Sequence, residues 1–492
     1  MKLPLFFLSC LTLLSAYAQT PPPESLVFEY GEEVYKLNEV YFHAPPPQDS
    51  KESQEWIKIA KDETGELYSE EDSTLAWKAV RQNPVAYVSG ATPYTSAFFT
   101  IECDNGGQMQ EKKIYAYAKS PDGYHLPTRQ LQKQTDGSYY YPKTAATKAF
   151  TKEKVDYFES YKLQWFIAFS ESGPWQEIAV SDNYLYVTWK APLINQNIPM
   201  DDKNIYSEGG YFRVHHSSIN FACKYAKGKK NADPIVDRIF DYFKETKCQD
   251  LAGDELTYWG NKEDSYCTIL EKFFAGNDGT CGTWEVYMNE MIRIQGIPAS
   301  YIAIRPSPTN FSYNDITSYT YYIETLHPGY KAYIYHYTTP NGNTIFPNNF
   351  FVKNWDYDKF IFLENVSSVY APSAIFAKGG EEEGKRGQNN PDPISIFNDH
   401  AFVVYKAKNL LGNENVIYYD PSYGLKVNPL LSSATQKDYE DEALDLVKGM
   451  VFYLVPNNPS GQPIKAMAFI LKTNTKNVQD NEIKFSEFTY PY

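Results

Sequence analysis

A candidate nucleophile opens the stretch GTCGTWEVYMNEMIRIQGI, which covers residues 279–297. Cys281 follows a glycine-rich turn, and the apolar residues behind it recur at helical spacing, at Trp284, Met288, Met291 and Ile292. A thiol in the first turn of a helix lies beside unpaired backbone N–H groups and the positive end of the helix dipole. Both favour the nucleophilic thiolate. For a cysteine considered alone, however, a buried structural role is the more common one.

Two later segments contribute a histidine and an aspartate, the residue types that act together with a nucleophilic thiolate. His400 begins an aromatic and β-branched run, and Asp420 ends a second run, immediately before a proline. A turn signal at Gly412 lies between the runs and predicts an antiparallel hairpin. A turn centred on Leu410 would place His400 directly opposite Asp420, whereas a turn centred on Leu411 would offset them by two residues.

Together these three residue types perform acyl transfer. A cysteine thiolate attacks a carbonyl, a histidine takes and returns the proton, and a carboxylate orients the imidazole and stabilises its cation. Each residue also has an ordinary explanation by itself. His400 fits a satisfied strand histidine, and Asp420 fits the cap of the turn that follows it.

In this order the motifs resemble the transglutaminase-like superfamily of papain-like thiol enzymes, in its exported bacterial form with a preceding immunoglobulin-like domain. The resemblance is carried by GTCG at 279–282, GIPA at 296–299, HAF at 400–402 and DP at 420–421, and it covers roughly residues 234–455. It implies a catalytic triad of Cys281, His400 and Asp420. It also implies an α+β papain-like core, in which a helix packs against an antiparallel sheet.

The chain departs from the family pattern in two places. Cys281 and His400 are further apart than in compact members, which predicts an insertion at residues 306–393 that covers or shapes the cleft. Ser300 stands where the family often has arginine. For the oxyanion hole we expect the Cys281 backbone N–H, with Trp259 and Gly282 as further cleft candidates. Core packing is the more common role for a tryptophan such as Trp259.

The rest of the chain supplies the elements that must position these residues. Short aromatic and β-branched segments separated by turn signals predict an immunoglobulin-like β-sandwich over residues 85–195. Residues 19–84 form a mixed segment with short helices predicted at 53–61 and 75–80. A linker is predicted at 196–232, followed by the transglutaminase-like domain at 233–492. Within that domain we predict helices from Asp233, over 266–274 and from Cys281, and an acidic helix that ends at Gly449.

Export is indicated by the first 18 residues. They combine one lysine, a mostly apolar run and an Ala-Tyr-Ala cleavage site, as a signal peptide does. Cys10 invites a lipoprotein anchor, but the apolar run continues past it, which disfavours that interpretation. No later stretch reaches the roughly 18 apolar residues of a membrane span. We therefore expect a secreted, periplasmic or cell-surface protein without a transmembrane segment.

Net charge argues against nucleic acid as a partner, and the cysteine and histidine spacings bear on disulfides and metal binding. A net charge of −15 over 492 residues makes nucleic acid an unsuitable partner. Without Cys10, an odd number of cysteines remains, at Cys103, Cys223, Cys248, Cys267 and Cys281. Two disulfides among the first four, with Cys281 free, is one arrangement. The chain has no zinc-type spacing, and the adjacent His215 and His216 would point to opposite faces of a strand, so we expect no metal and no cofactor.

The leading functional hypothesis is an exported cysteine protease or amidase, a hydrolase that acts on a protein, peptide or cell-wall peptide through a thioacyl-enzyme. With an amine as acceptor the same triad would perform transglutaminase-type transfer. The main alternative is a non-catalytic surface protein that binds a peptide or glycan. The 43 tyrosines and the β-domain favour glycan contact, whereas an intact Cys-His-Asp set favours an enzyme.

Overall fold

Strands dominate the described residues, and every helix described there follows residue 214. The computed structural model describes residues 28–30, 33–43, 56–68, 74–78, 81–103, 113–193, 214–258, 269–306, 320–322, 330–334, 350–352, 389, 396–397, 400–408, 412–429, 432–446, 452–456, 466–468 and 483–488. Among the helices in these ranges, none is long and apolar enough to cross a bilayer. The predicted signal peptide lies outside the described residues and stays a prediction.

Thirteen strands precede the first described helix. They are β1 (Phe28–Tyr30), β2 (Glu33–His43), β3 (Trp56–Ile57), β4 (Thr74–Lys78), β5 (Arg81–Gln82), β6 (Val85–Val88), β7 (Tyr94–Cys103), β8 (Tyr115–Lys119), β9 (His125–Gln130), β10 (Gln132–Lys133), β11 (Tyr139–Ala145), β12 (Asp156–Ala168) and β13 (Gln176–Thr188).

Helices and further strands alternate after residue 214. They are α1 (His216–Ala226), α2 (Ala232–Glu245), β14 (Thr257–Tyr258), α3 (Leu270–Gly276), β15 (Asp278–Gly279), α4 (Cys281–Ile294), β16 (Ala299–Pro306), β17 (Thr320–Tyr322), β18 (Tyr330–Ile334), β19 (Phe350–Val352), β20 (Ile396–Phe397), β21 (His400–Lys408), β22 (Glu414–Asp420), β23 (Leu425–Val427), α5 (Gln436–Ala443), β24 (Leu444–Leu446), β25 (Phe452–Pro456), β26 (Ala466–Ala468) and β27 (Ile483–Phe488).

The first thirteen strands form two facing sheets. One runs β10-β11-β7-β2-β4-β5, with β1 beside β2, and the other runs β3-β6-β13-β12-β8-β9. Apolar side chains from both sheets share one buried cluster. At its centre the Trp165 ring meets Phe99 and Tyr141 edge-on, at centroid distances of 5.6 and 5.4 Å. This is the predicted all-β region, and its immunoglobulin-type topology remains a prediction.

The predictions for residues 19–84 need correction. The short helices predicted at 53–61 and 75–80 are wrong, because the structure has strands β3 and β4 there. Strand β4 pairs with the long β2, which itself pairs with β7. Strand pairing outweighs weak local helix preference in such short segments. The sandwich therefore begins well before residue 85.

Helix α4 packs against an antiparallel sheet in the second half of the chain. The sheet runs β23-β22-β21-β16-β27, and α4 contacts both β21 and β16. Trp284, Met288 and Met291 of α4 are fully buried in the cluster that α1, α2 and this sheet share. An all-β region and an α+β core are thus both present, as the sequence predicted.

The described part of the predicted linker packs against both the sandwich and the α+β core. The predicted linker at 196–232 contains helix α1, whose Ile219, Ala222 and Cys223 are completely buried. These side chains belong to one cluster with Ile57 and Tyr186 of the sandwich. The linker prediction is therefore wrong for residues 216–226. The polar composition concealed the helix, because several of its buried residues are serine, asparagine or histidine.

The end of α4 is fixed to the exit of the sandwich. The Trp189 backbone N–H donates to Gln295 Oε1 at 3.0 Å, and the Arg293 guanidinium donates to the Leu193 carbonyl at 2.7 Å. Gly296 follows with a φ of +71°, and a Cβ atom there would lie 2.6 Å from the Ala191 carbonyl oxygen. Only glycine accommodates both the left-handed backbone and the close approach.

The described parts of the predicted insertion at 306–393 take part in small sheets. One sheet runs β17-β18-β25-β26, and in another β19 pairs with β20 and β24. The acidic helix predicted to reach Gly449 is α5, which ends earlier, at Ala443, because the chain continues into β24.

Candidate active site

Cys281 is the first residue of α4 and is partly exposed. Thr280 precedes it in an extended conformation, and the Thr280 N–H donates to Thr283 Oγ1 at 3.1 Å. Gly279 fits tightly, because an added Cβ would lie 2.8 Å from the Thr283 side chain and 2.9 Å from Phe273. The turn and the helix start thus place the thiol in the first turn of α4, beside the backbone N–H groups of the helix start.

His400 and Asp420 meet at one end of the hairpin formed by β21 and β22. The strands pair with Val403 opposite Tyr419, so the turn is centred on Leu411 and the two residues are offset. Despite the offset, His400 Nε2 and Asp420 Oδ2 are 2.8 Å apart. Both side chains are 1% exposed. The sequence predicted that the strands would bring these two residues together, and they do.

Four donors surround the Asp420 carboxylate. Its Oδ1 accepts from the backbone N–H groups of Ser422 and Tyr423, at 3.1 and 3.3 Å. Its Oδ2 accepts from the Tyr439 hydroxyl at 2.8 Å, in addition to the bond with His400. These four hydrogen bonds fix the carboxylate beside the imidazole.

The surroundings of His400 favour its protonated form. Burial lowers the pKa of His400, but the charge and hydrogen bond of Asp420 outweigh burial, and a side-chain hydrogen bond with Cys281 acts in the same direction. Together they raise the pKa to about 10. Since Asp420 holds Nε2, the remaining ring nitrogen for exchanging a proton with the thiol is Nδ1. Cys281, His400 and Asp420 thus form one interacting set, and their catalytic roles stay a prediction.

Two tyrosines that the sequence did not single out line the same region. The Tyr423 ring lies 5.3 Å from the His400 ring, measured between centroids. The Tyr423 and Tyr258 hydroxyls are 3.4 Å apart, and Tyr258 stands beside Gly279 in a short parallel pairing. Both tyrosines are buried. The sequence gives no indication of a role for them, because their closeness to the site depends on packing between distant segments.

Of the other positions predicted for the cleft, Gly282 and Ser300 are described in the structure and Trp259 is not. Gly282 is the second residue of α4 and is partly exposed next to Cys281. Trp259 lies outside the described residues, directly after Tyr258, and its part in an oxyanion hole stays a prediction. Ser300 lies in β16, opposite Val404 of β21, and is buried.

A second buried histidine cluster lies away from Cys281. His215 Nδ1 is 2.9 Å from Glu290 Oε1, and His215 Nε2 is 3.5 Å from Glu271 Oε1. Burial lowers the His215 pKa, but the effects of Glu290 and Glu271 outweigh burial. Together they raise the His215 pKa from 6.5 to about 10. His216 instead lies between the hydroxyls of Tyr68 and Tyr186, and burial lowers its pKa to about 3. The neighbours stand at the start of α1, not on a strand, and have separate partners.

The other described thiols are buried and reduced. Cys223 accepts a bond from Gln295 Nε2, and Cys248 lies near the Tyr242 carbonyl. Both are free cysteines, so the arrangement of two disulfides among Cys103, Cys223, Cys248 and Cys267 is not formed. Burial raises the pKa of Cys223 to about 12 and that of Cys248 well above its usual range. Across the described ranges, no cluster of three or more His, Cys, Asp or Glu side chains has the geometry to hold a metal ion.

Comparisons with known proteins add little to this geometry. No protein-family model and no curated protein matches the chain. A solved structure, that of red sea bream transglutaminase, aligns with 82% of this chain at 9% identity and a TM-score of 0.28. The chain covers 61% of that enzyme's length. A likeness this loose carries no argument, so the function is argued from the residues of the site.

Proposed function

We propose that this chain is an exported thiol hydrolase that cleaves peptide or amide bonds through a thioacyl-enzyme. The observation that carries the proposal is the buried pairing of His400 with Asp420. Although burial lowers the pKa of His400, Asp420 and Cys281 together raise it. The placement of Cys281 at the start of α4 and the resemblance of the surrounding motifs to transglutaminase-like enzymes support the same conclusion.

In the first half of the reaction, the Cys281 thiolate attacks the carbonyl carbon of the substrate. The developing oxyanion is stabilised by the Cys281 backbone N–H, with Trp259 as the proposed second donor. Protonated His400 gives its Nδ1 proton to the leaving amine as the carbon–nitrogen bond breaks. A thioester with Cys281 remains, and His400 is neutral.

In the second half, neutral His400 takes a proton from water, and the resulting hydroxide attacks the thioester carbonyl. The carbon–sulfur bond breaks, which releases a carboxylic acid and restores the thiolate–imidazolium pair. Asp420 keeps the imidazole oriented throughout and stabilises its cation. An amine in place of water would give transfer instead of hydrolysis, and water is the acceptor that is always available.

Alkylation of Cys281 tests the proposal without knowledge of the substrate. Iodoacetamide is added at several pH values, and the labelled cysteines are identified by peptide mass spectrometry in the unaltered chain and in His400→Ala. We expect Cys281 to react rapidly below pH 7 in the unaltered chain and to lose that reactivity in His400→Ala. An ordinary thiol reacts appreciably only near its pKa of about 8.5.

Labelling of Cys281 with such an ordinary pH dependence would count against an enzyme and favour a binding protein. Peptide and glutamine substrates are then compared between the unaltered chain and Cys281→Ala. Equal turnover by both would end the proposal. Incorporation of an added amine, in preference to release of the free acid, would identify the acceptor as an amine.

A further inference from the structure

One oxygen of Asp420 accepts two side-chain hydrogen bonds. Asp420 Oδ2 lies 2.8 Å from His400 Nε2 and 2.8 Å from the Tyr439 hydroxyl. All three side chains are at most 1% exposed, so water does not compete for this oxygen. Tyr439 belongs to α5, an element outside the hairpin that carries the other two residues.

The carboxylate has other hydrogen bonds besides the one from this hydroxyl. The other oxygen, Oδ1, is held by the backbone N–H groups of Ser422 and Tyr423. The Tyr439 ring is in turn held by stacking on Phe402, with centroids 4.1 Å apart and an interplanar angle of 11°. Ring and carboxylate are thus each fixed by other contacts. What the hydroxyl adds is charge stabilisation at the oxygen that faces His400.

We propose that Tyr439 is a positioning residue of this site, whose hydroxyl takes up part of the Asp420 charge and so sets how strongly the carboxylate holds the His400 imidazolium. The inference rests on the proposed function, in which His400 must both hold and give up a proton. Without the hydroxyl, Oδ2 interacts with His400 alone, and the imidazolium is held more strongly.

Three other ionisable groups lie near the His400–Asp420 pair, and Tyr439 stays protonated among them. The groups that face it are Cys281 from α4, Tyr258 from β14 and Tyr423 from the turn after β22. Burial, and then the charge of Asp420, raise the pKa of Tyr439 well above its ordinary value. Tyr439 therefore keeps its proton and remains a donor over the whole range in which His400 titrates.

The test follows the titration of the His400 ring by NMR in protein labelled at histidine Cε1, with His400→Ala identifying its signal among the seven histidines. We compare the unaltered chain with Tyr439→Phe, which retains the stacked ring. The matched control is Tyr419→Phe, which removes a hydroxyl that donates to Asp237 at 2.6 Å, one residue away from Asp420 in β22. We expect the His400 pKa to rise by about half a unit in Tyr439→Phe and to stay unchanged in the control.

An unchanged or lowered His400 pKa in Tyr439→Phe, or an equal rise in the control, overturns the inference. Loss of thermal stability alone, with the titration unmoved, identifies Tyr439 as a packing residue and also overturns it. If Tyr439→Phe does not fold, 3-fluorotyrosine at position 439 provides a stronger donor of similar shape, and the His400 pKa must then fall. The titration is independent of Cys281 alkylation, so either proposal can fail without the other.

Discussion

The close contact between Gly296 and the sandwich exit gives a quantitative prediction for Gly296→Ala. A non-glycine residue in the left-handed region costs about 1–2 kcal/mol. The new methyl group would also lie 2.6 Å from both the Ala191 carbonyl oxygen and the Lys190 Cβ. Overpacking of this kind costs about 1–3 kcal/mol. We therefore expect the free energy of unfolding to fall by about 2–5 kcal/mol, measured by urea denaturation.

Gly228→Ala separates the two contributions. Gly228 has a φ of +81°, and an added Cβ there meets nothing within 4 Å. This variant should lose only the conformational part, about 1–2 kcal/mol. Equal losses in the two variants would refute the claim that close approach to residues 190–191 restricts position 296. A loss in Gly296→Ala that exceeds the control by about 1–3 kcal/mol would support it.

Two further predictions concern the buried histidines. Asp420→Asn removes the charge that raises the His400 pKa, so His400 should lose its proton at lower pH. Turnover should fall by about a hundred- to ten-thousandfold. An unmoved His400 titration would contradict this prediction. Because the His215 pKa is raised from 6.5 to about 10, its stabilising contribution is complete below pH 6.5 and is lost as pH rises toward 10. Glu290→Gln should lower the free energy of unfolding by about 3 kcal/mol at pH 6 and weaken its dependence on pH, whereas unchanged urea midpoints at pH 6 and pH 9.5 would show that the pair adds nothing.

The sequence predicted the parts of the site that depend on local pattern. A glycine turn, a cysteine and a helical apolar repeat were sufficient to place Cys281 at the start of α4. The β-branched runs that begin at His400 and end at Asp420 were sufficient to predict the hairpin. The register between the two strands remained open, because Leu410 and Leu411 are both compatible with the turn signal. Only the paired strands select Leu411.

The parts that were missed depend on contacts between distant segments. Tyr439 lies on the predicted acidic helix, and its place beside Asp420 appears only when α5 packs over Phe402. The sequence of helix α1 predicts a linker, because its buried Ser217 and Ser218 are satisfied by Asp62 and Glu290 from elsewhere in the chain. Buried polar side chains with remote partners leave no periodic apolar signal in a sequence.

The attachment of α4 to the sandwich has a consequence for how such a chain evolves. Gln295 and Gly296 at the end of this helix fit the backbone of residues 189–191, and Cys223 beneath them accepts a bond from Gln295. A gene fusion that replaced the sandwich with another leading domain would leave these residues without their complement. The two halves are therefore expected to be inherited together, with substitutions on one side of the junction matched by substitutions on the other.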